Sequence, residues 1–211
     1  MSTPPITTPL VAALEHAWAT IRQHHPEVPA AVLVVGAGTD GRRARLKYGH
    51  YSESRWQHGT MRMPEVLISG EGLARGAAAT LGTLLHEAAH GLAAVRGIRD
   101  TSRQYRYHNQ RFKALASELG IDVAQAPVIG WSVTTVRPAT LDRYRDVVDA
   151  LTAALVAFRT VEPTPVAART TSNNPLPCRC ACPRNIRVAR RILDLGPILC
   201  GVCREPFLAE R

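Results

Sequence analysis

The amino-acid sequence predicts an α+β fold in two parts, a larger N-terminal domain and a small C-terminal module. Helical and strand periodicities alternate within residues 1–159. Residues 160–177 are rich in Pro and Thr, can bury little apolar surface and are typical of a linker. All five cysteines follow it, between Cys178 and Cys203. We therefore place a separate cysteine-rich module at residues 178–211.

Composition narrows the class of protein. The chain has 211 residues, 45% of them hydrophobic and 20% charged, which is typical of a globular protein with a genuine core. Mostly disordered, fibrous and disulfide-dense scaffolds are excluded. The longest apolar run, residues 28–38, is about half of what a membrane crossing needs, and the first twenty residues contain no Lys or Arg. We therefore expect a cytoplasmic protein without a membrane partner.

The net charge of +9, from 26 basic and 17 acidic residues, favours polyanionic partners such as DNA through counterion release. Arg outnumbers Lys 24 to 2. A GC-rich coding sequence would produce the same bias without selection for binding, so charge alone leaves both readings open.

The N-terminal domain begins with a helix and a group of short strands. Thr8 suits an N-cap before Pro9, and apolar residues then recur at helical spacing up to about His24. Three strands are predicted next, at residues 31–36, 44–48 and 66–68.

The rest of this domain is predicted to be mainly helical. A helix from about Leu73 to Arg96 is apolar on most sides, which indicates a position in the interior. The later segments are a helix ending at Leu119, an extended stretch at 128–137 and a last long helix at 138–158 with an apolar stripe.

The most informative motif is HEAAH at residues 86–90. Positions i and i+4 share one face of a helix, so His86 and His90 can direct imidazole nitrogens at one metal ion. Glu87 projects beside that ion, where it can accept a proton from a metal-bound water. Two histidines and a glutamate on a buried helix would be costly without a metal or another partner. The motif therefore predicts a zinc centre.

A catalytic zinc usually has three protein ligands and one open position. The third ligand has two candidates, Glu118 on a later helix and His108 at the start of the next helix. We favour His108, because Phe112 lies four residues on and can anchor that helical turn against the core.

The C-terminal cysteines also have metal-ligand spacing. Cys200 and Cys203 form a C-x-x-C around a glycine, which is typical of a zinc knuckle. Three cysteines compete for the two places in the other knuckle: Cys178, Cys180 and Cys182. A redox-active thiol set is the alternative to zinc.

Two knuckles joined by a hairpin would make this module a zinc ribbon. Ile186 and Val188 alternate between the two cysteine groups, and a turn at Gly196-Pro197 follows them. A module this short cannot bury enough apolar surface to be stable by itself. Metal binding would therefore supply its folding free energy, on the order of 10 kcal/mol.

These motifs resemble the SprT-like family, which includes the Spartan proteases that act on DNA–protein crosslinks. The resemblance covers most of the chain and rests on HEAAH, on YHNQRF around His108 and on the cysteine module. It implies a zincin-like domain with an N-terminal helix, a small three-stranded sheet, an active-site helix and further helices. It also implies that His86, His90 and His108 bind a catalytic zinc and that Glu87 is the general base.

The resemblance also selects among the cysteines. The run CACPRNIRV resembles related ribbons in which C-x-C precedes Pro-Arg. It implies a structural zinc on Cys180, Cys182, Cys200 and Cys203, with Cys178 either spare or in the place of Cys180.

The chemistry expected at the first zinc is peptide hydrolysis. The ion lowers the pKa of its water, Glu87 accepts the proton, and the hydroxide attacks a peptide carbonyl. Tyr105, Arg106 and Tyr107 are near enough in sequence to stabilise the oxyanion.

The chain departs from the family pattern at one place. Family members commonly have a glycine beside the third histidine, whereas the neighbours of His108 are tyrosine and asparagine.

The cysteine module carries seven arginines against three acidic residues, a net charge of +4. Such a basic ribbon on a linker can hold DNA while the first domain acts on a bound protein. The candidate DNA contacts are Arg184, Arg187, Arg190 and Arg191.

We therefore expect a zinc-dependent metallopeptidase with one catalytic and one structural Zn²⁺, cleaving proteins bound to DNA. The rival is a non-catalytic DNA-binding or transcription-associated protein whose histidine site is structural and closed by a fourth ligand such as Glu118. A third possibility is a zinc hydrolase acting on small amides in a deep pocket.

Overall fold

The structure is a computed structural model that describes residues 5–39, 46–102, 107–161 and 175–209. It has the predicted α+β character, with helices and three small sheets. The chain divides into two compact units, residues 1–163 and 164–211. No helix within the described ranges is both long enough and apolar enough to cross a membrane.

The N-terminal unit alternates helices with short strands. Its elements are α1 (Thr7–His24), β1 (Val32–Gly36), β2 (Gly49–His58), β3 (Met61–Ser69), α2 (Ala77–Val95), β4 (Thr101–Ser102), β5 (Tyr107–His108), α3 (Gln110–Glu118), β6 (Ile121–Ala126), β7 (Gly130–Val136), α4 (Pro138–Arg143) and α5 (Arg145–Ala154). A 3₁₀ helix, Glu71–Arg75, precedes α2.

Helix α2 runs through the core of this unit, as its apolar sequence predicts. Thirteen of its nineteen residues are buried, on all sides of the helix. It begins later than the predicted Leu73, because Gly76 has a φ of +84° and separates it from the 3₁₀ helix.

The first sheet has the order β1-β3-β2. β1 is parallel to β3 and β2 is antiparallel to it, so β2 is an edge strand. The strand predicted at residues 44–48 is misplaced: residues 40–45 lie outside the described ranges, and β2 begins only at Gly49. β2 escaped prediction because it is largely exposed and polar, as an edge strand can be.

The second sheet, of order β4-β5-β7-β6, was predicted only in part. The extended stretch at 128–137 contains β7, but β6 and the two-residue strands β4 and β5 gave no periodic signal. β6 and β7 form an antiparallel hairpin, and β7 joins β5 through the pair His108–Gly130.

The last long helix is broken, contrary to the prediction of one helix over 138–158. It kinks at Tyr144, between α4 and α5, and ends at Ala154. Beyond it the Arg159 amide donates to the Gly70 carbonyl and the guanidinium pairs with Glu71 at 3.0 Å. These tertiary bonds fix the chain beyond the end of the helix, where Phe158 is 60% exposed.

The C-terminal unit is a small sheet of order β10-β8-β9. Its elements are β8 (Leu176–Arg179), β9 (Asn185–Val188), α6 (Arg190–Leu193) and β10 (Leu208–Ala209). The predicted linker falls mostly outside the described residues, but its last two residues already belong to β8. The hairpin also differs from the prediction: β9 pairs with β8 rather than with a strand beyond Gly196-Pro197.

Candidate metal centres

Helix α2 and strand β5 bring three histidines together. We call His86, His90 and His108 the histidine cluster. One ring nitrogen of each lies within 4.8 Å of the others. His108 Nε2 lies 3.2 Å from His86 Nε2 and 3.2 Å from His90 Nε2.

These distances fit a shared metal ion. Two imidazole nitrogens bound to one tetrahedral zinc at about 2.0–2.1 Å lie roughly 3.3 Å apart. Three imidazoles from one helix and one strand that converge on a single point are a donor set suited to zinc.

Phe112 forms the apolar support of the histidine cluster. It is 0% exposed, and its ring centroid lies 4.6–4.7 Å from the centroids of all three imidazoles. The Asn109 side chain caps α3 through the amides of Arg111 and Phe112 and so fixes this turn next to His108. The expectation that Phe112 anchors this turn in the core is confirmed.

Burial favours the neutral, metal-binding form of two of the three histidines. Burial lowers the pKa of His86 well below its usual value, and burial lowers the pKa of His108 to about 4. Burial also acts against a charged His90, but the hydrogen bond that His90 donates to Asp100 and the charges of Glu87 and Asp100 outweigh burial and raise the pKa of His90. His86 and His108 are therefore neutral at pH 7, the form in which imidazole binds a metal.

Glu87 lies on the same helical turn and is 4% exposed. β2 passes directly over it, so closely that a Cβ built on Gly49 would lie 2.5 Å from Glu87 Oε1. Burial raises the pKa of the Glu87 carboxyl to about 7, although His90, Lys47 and the Tyr51 amide favour the charged form. A carboxyl with such a pKa can both accept and return a proton near neutral pH.

The structure separates Glu118 from the histidine cluster. Arg96 donates to both Glu118 oxygens at 2.8 Å and also pairs with Glu27. Of the candidate oxyanion residues, Tyr105 and Arg106 lie outside the described residues. The Tyr107 hydroxyl accepts a hydrogen bond from Gln125 at 2.9 Å.

The second candidate centre lies in the C-terminal unit. Sulfur atoms of Cys180, Cys182, Cys200 and Cys203 lie within 4.8 Å of one another. The distances are 3.3 Å for Cys180–Cys182 and 3.7 Å for Cys182–Cys200, whereas thiolates on one tetrahedral zinc lie roughly 3.8 Å apart. We call this group the four-cysteine site. It fits the metal core of a zinc ribbon.

The electrostatics of this site favour a thiolate at the C-x-x-C turn. The amides of Cys203 and Val202 donate to the Cys200 sulfur and lower its pKa to about 6. Cys178 stands apart from the four-cysteine site: it is 0% exposed and packs in the small core with Val188 and Phe207.

The four arginines predicted to contact DNA are all exposed. Arg184 and Arg187 lie before and on β9, and Arg190 and Arg191 begin α6. They lie close together along the chain.

Several residues around the histidine cluster gave no sequence signal. Asp100, Thr134 and the Ile129 carbonyl each contact one imidazole. They are separated by 10 to 48 residues from the histidines they contact, and no spacing rule connects them.

Comparison of the chain with protein-family models, with curated proteins and with solved structures gives no match.

Proposed function

We propose that this protein is a zinc-dependent metallopeptidase of the SprT-like type, with a zincin-like domain and a C-terminal zinc ribbon. The observation that carries the proposal is the convergence of the three imidazoles with Glu87 beside them on the same helical turn. Among the described residues no further His, Cys, Asp or Glu joins this group. Three protein ligands leave a position open, as at catalytic zinc sites.

His86, His90 and His108 would hold the zinc, which when bound acidifies a water and polarises a carbonyl. Glu87 takes the water proton on its carboxylate and then delivers it to the amine nitrogen of the leaving peptide. Its burial beneath β2 keeps bulk water from the carboxylate, and the Tyr51 amide holds it in place.

A peptide substrate is supported by the position of β2. Its pairing with β3 uses one edge, while the other edge belongs to no further strand in the described sheet. An extended peptide can add to such an edge through main-chain hydrogen bonds. Because Gly49 on β2 lies against Glu87, a peptide bond aligned there lies near the carboxylate.

The rival structural site is less well supported. It requires a fourth ligand, and the proposed one, Glu118, pairs with Arg96 instead. The four-cysteine site, by contrast, offers the four protein ligands that are typical of a structural zinc.

DNA is the proposed partner of the ribbon. The support is the +4 charge of residues 178–211 and the exposure of Arg184, Arg187, Arg190 and Arg191. Replacing these four arginines with alanine should weaken binding to a duplex and reduce its salt dependence, as expected when phosphate contacts are lost. Equal binding by the variant would exclude the ribbon as the DNA contact.

The deciding experiment is Glu87→Gln, tested on casein and on a protein crosslinked to DNA. The amide cannot accept the proton, so cleavage should be lost while two metal ions per chain are retained. Glu15→Gln, an exposed change of the same kind on α1, should cleave like the wild type. A Glu87→Gln protein that cleaves at the wild-type rate would overturn the mechanism.

A further inference from the structure

Each imidazole of the histidine cluster is held at the nitrogen that faces away from the others. His90 Nδ1 lies 2.6 Å from Asp100 Oδ2, and His86 Nδ1 lies 2.9 Å from Thr134 Oγ1. His108 Nδ1 lies 3.0 Å from the Ile129 carbonyl oxygen. A histidine that binds a metal through Nε2 has its proton on Nδ1, and all three partners can accept that proton.

We propose that Asp100 and Thr134 are positioning residues of this metal centre. They hold the rings of His90 and His86 in the tautomer and orientation that direct both Nε2 lone pairs at the point faced by His108. This inference rests on the metal-binding part of the proposed function and is independent of peptidase activity.

Asp100 is built into the frame that carries the third histidine. It is 9% exposed, and its carbonyl accepts a hydrogen bond from the Asn109 amide at 3.0 Å. The Asn109 side chain donates to the Arg99 carbonyl at 2.9 Å. The segment before β4 is therefore tied at two points to the residue after His108, and its carboxylate reaches His90 from a fixed backbone.

The Asp100 contact is also the strongest of the three. A carboxylate 2.6 Å from an imidazole nitrogen is a charge-assisted hydrogen bond, roughly twice as strong as a neutral one. It increases the basicity of His90 toward a metal as well as orienting the ring. We therefore expect Asp100 to matter more than Thr134.

Thr134 reaches His86 because β7 packs tightly against α2. A Cβ built on Gly82 of α2 would lie 3.0 Å from Val136 Cγ2 and 3.7 Å from Thr134 Cγ2. Because position 82 is a glycine, β7 can come this close to α2, and Thr134 can contact His86, which lies 48 residues earlier in the sequence. The neutral hydroxyl orients the ring of His86 without adding charge, so its loss should have a smaller effect.

The test measures zinc affinity of the full-length protein by competition with a chromophoric chelator. Co²⁺ substitution separates the two centres, because only the four-cysteine site gives thiolate charge-transfer absorption. The variants are Asp100→Asn, Asp100→Ala, Thr134→Ser and Thr134→Val. Asp122→Asn is the control, since this exposed carboxylate on β6 pairs with Arg137 and belongs to neither group of candidate metal ligands.

We expect Asp100→Ala to lower zinc affinity of the histidine cluster about 10–100-fold, and Asp100→Asn to lower it less. Thr134→Val should lower it several-fold, and Thr134→Ser should restore it because serine keeps the acceptor oxygen. The four-cysteine site should keep its affinity in every variant. Asp122→Asn should bind zinc like the wild type at both sites.

Equal affinity of the histidine cluster in wild type, Asp100→Asn and Asp100→Ala would overturn the inference. Should Asp100→Ala fail to fold, Asp100→Asn against wild type decides, because it keeps the side-chain volume and removes the negative charge that strengthens the hydrogen bond from His90. A wild-type chain that binds metal only at the four-cysteine site would instead overturn the proposed function. The two failures are therefore distinct.

Discussion

Gly49 and Glu87 are in such close contact that position 49 admits no side chain without displacing the carboxylate. A Cβ at this position would lie 2.5 Å from Glu87 Oε1 and 2.7 Å from Thr83 Cγ2. An edge strand thus sets where the proposed general base lies, although the two residues are 38 positions apart in the sequence.

Gly49→Ala should reduce cleavage strongly while both metal centres stay loaded. Displacing a catalytic group by about 1 Å can cost roughly 100-fold in rate. The measurement is the rate of casein cleavage alongside metal content. Gly36→Ala on β1 is the control, because among the described residues its Cβ would meet only the Leu67 side chain, at 3.3 Å. Wild-type cleavage by Gly49→Ala would show that β2 does not position Glu87.

Gly130→Ala should weaken metal binding at the histidine cluster. Gly130 has a φ of +71°, and a Cβ there would collide with the His108 carbonyl oxygen. The adjacent Ile129 carbonyl accepts from both the His108 amide, at 2.9 Å, and His108 Nδ1. A shift of this turn therefore moves the third imidazole, which chelator competition detects.

Gly59→Ala is the matched control for this change. Gly59 has a φ of +61° and open space around its Cβ position, so alanine there brings the same left-handed strain, about 1–2 kcal/mol, without a collision. Its stability should fall while its zinc affinity is unchanged. Equal zinc affinity in both variants would contradict a role for Gly130 beside His108.

Cys203→Ser should remove one metal ion per chain and unfold only the C-terminal unit. The small core of the C-terminal unit has four buried residues, so metal binding must supply most of the folding free energy of this unit. Metal content and the NMR signals of residues 175–209 report the loss. Cys178→Ala is the control, and it should retain two ions, because this thiol is outside the four-cysteine site. Loss of an ion from Cys178→Ala would change the assigned ligands.

The ionised Glu71 carboxylate stabilises the N-terminal unit, so this unit should become less stable in acid, where the carboxylate is protonated. Burial by itself would raise its pKa, but hydrogen bonds from the amides of Gly38 and Glu71 and from Arg159 together hold the pKa below its usual value. The contribution of Glu71 to the free energy of unfolding is therefore complete above the pKa of glutamate in the unfolded chain, about 4.3. It is lost as the pH falls through the lower pKa of Glu71 in the folded protein.

Urea unfolding at several pH values tests this contribution. Glu71→Gln should lower the free energy of unfolding at pH 7 by about 1–3 kcal/mol, because buried donors lose a charged acceptor. The difference from wild type should shrink below pH 4. Glu15→Gln should show neither effect, and a Glu71→Gln curve parallel to wild type at all pH values would contradict the assignment.

Local patterns predicted the helices and ligand spacings better than the strands. α1 and α2 follow apolar periodicity, and HEAAH lies on α2 as expected. β2 was not predicted, because its exposed, polar sequence lacks the alternation of a half-buried strand. The helix predicted over 138–158 is instead interrupted at Tyr144 and ends at Ala154, and beyond it Arg159 bonds to Gly70 and Glu71, contacts that no local pattern reveals.

Backbone geometry over a few residues is enough to place His86, Glu87 and His90 on one helical turn and pairs of cysteines at knuckle spacing, so both features follow from the order of residues alone. The position of His108 rather than Glu118 beside the two histidines, and the contacts of Asp100 and Thr134 with their rings, depend on the packing of the folded chain. Those contacts join segments far apart in the chain, and their positions follow from how β7 and α3 pack on α2.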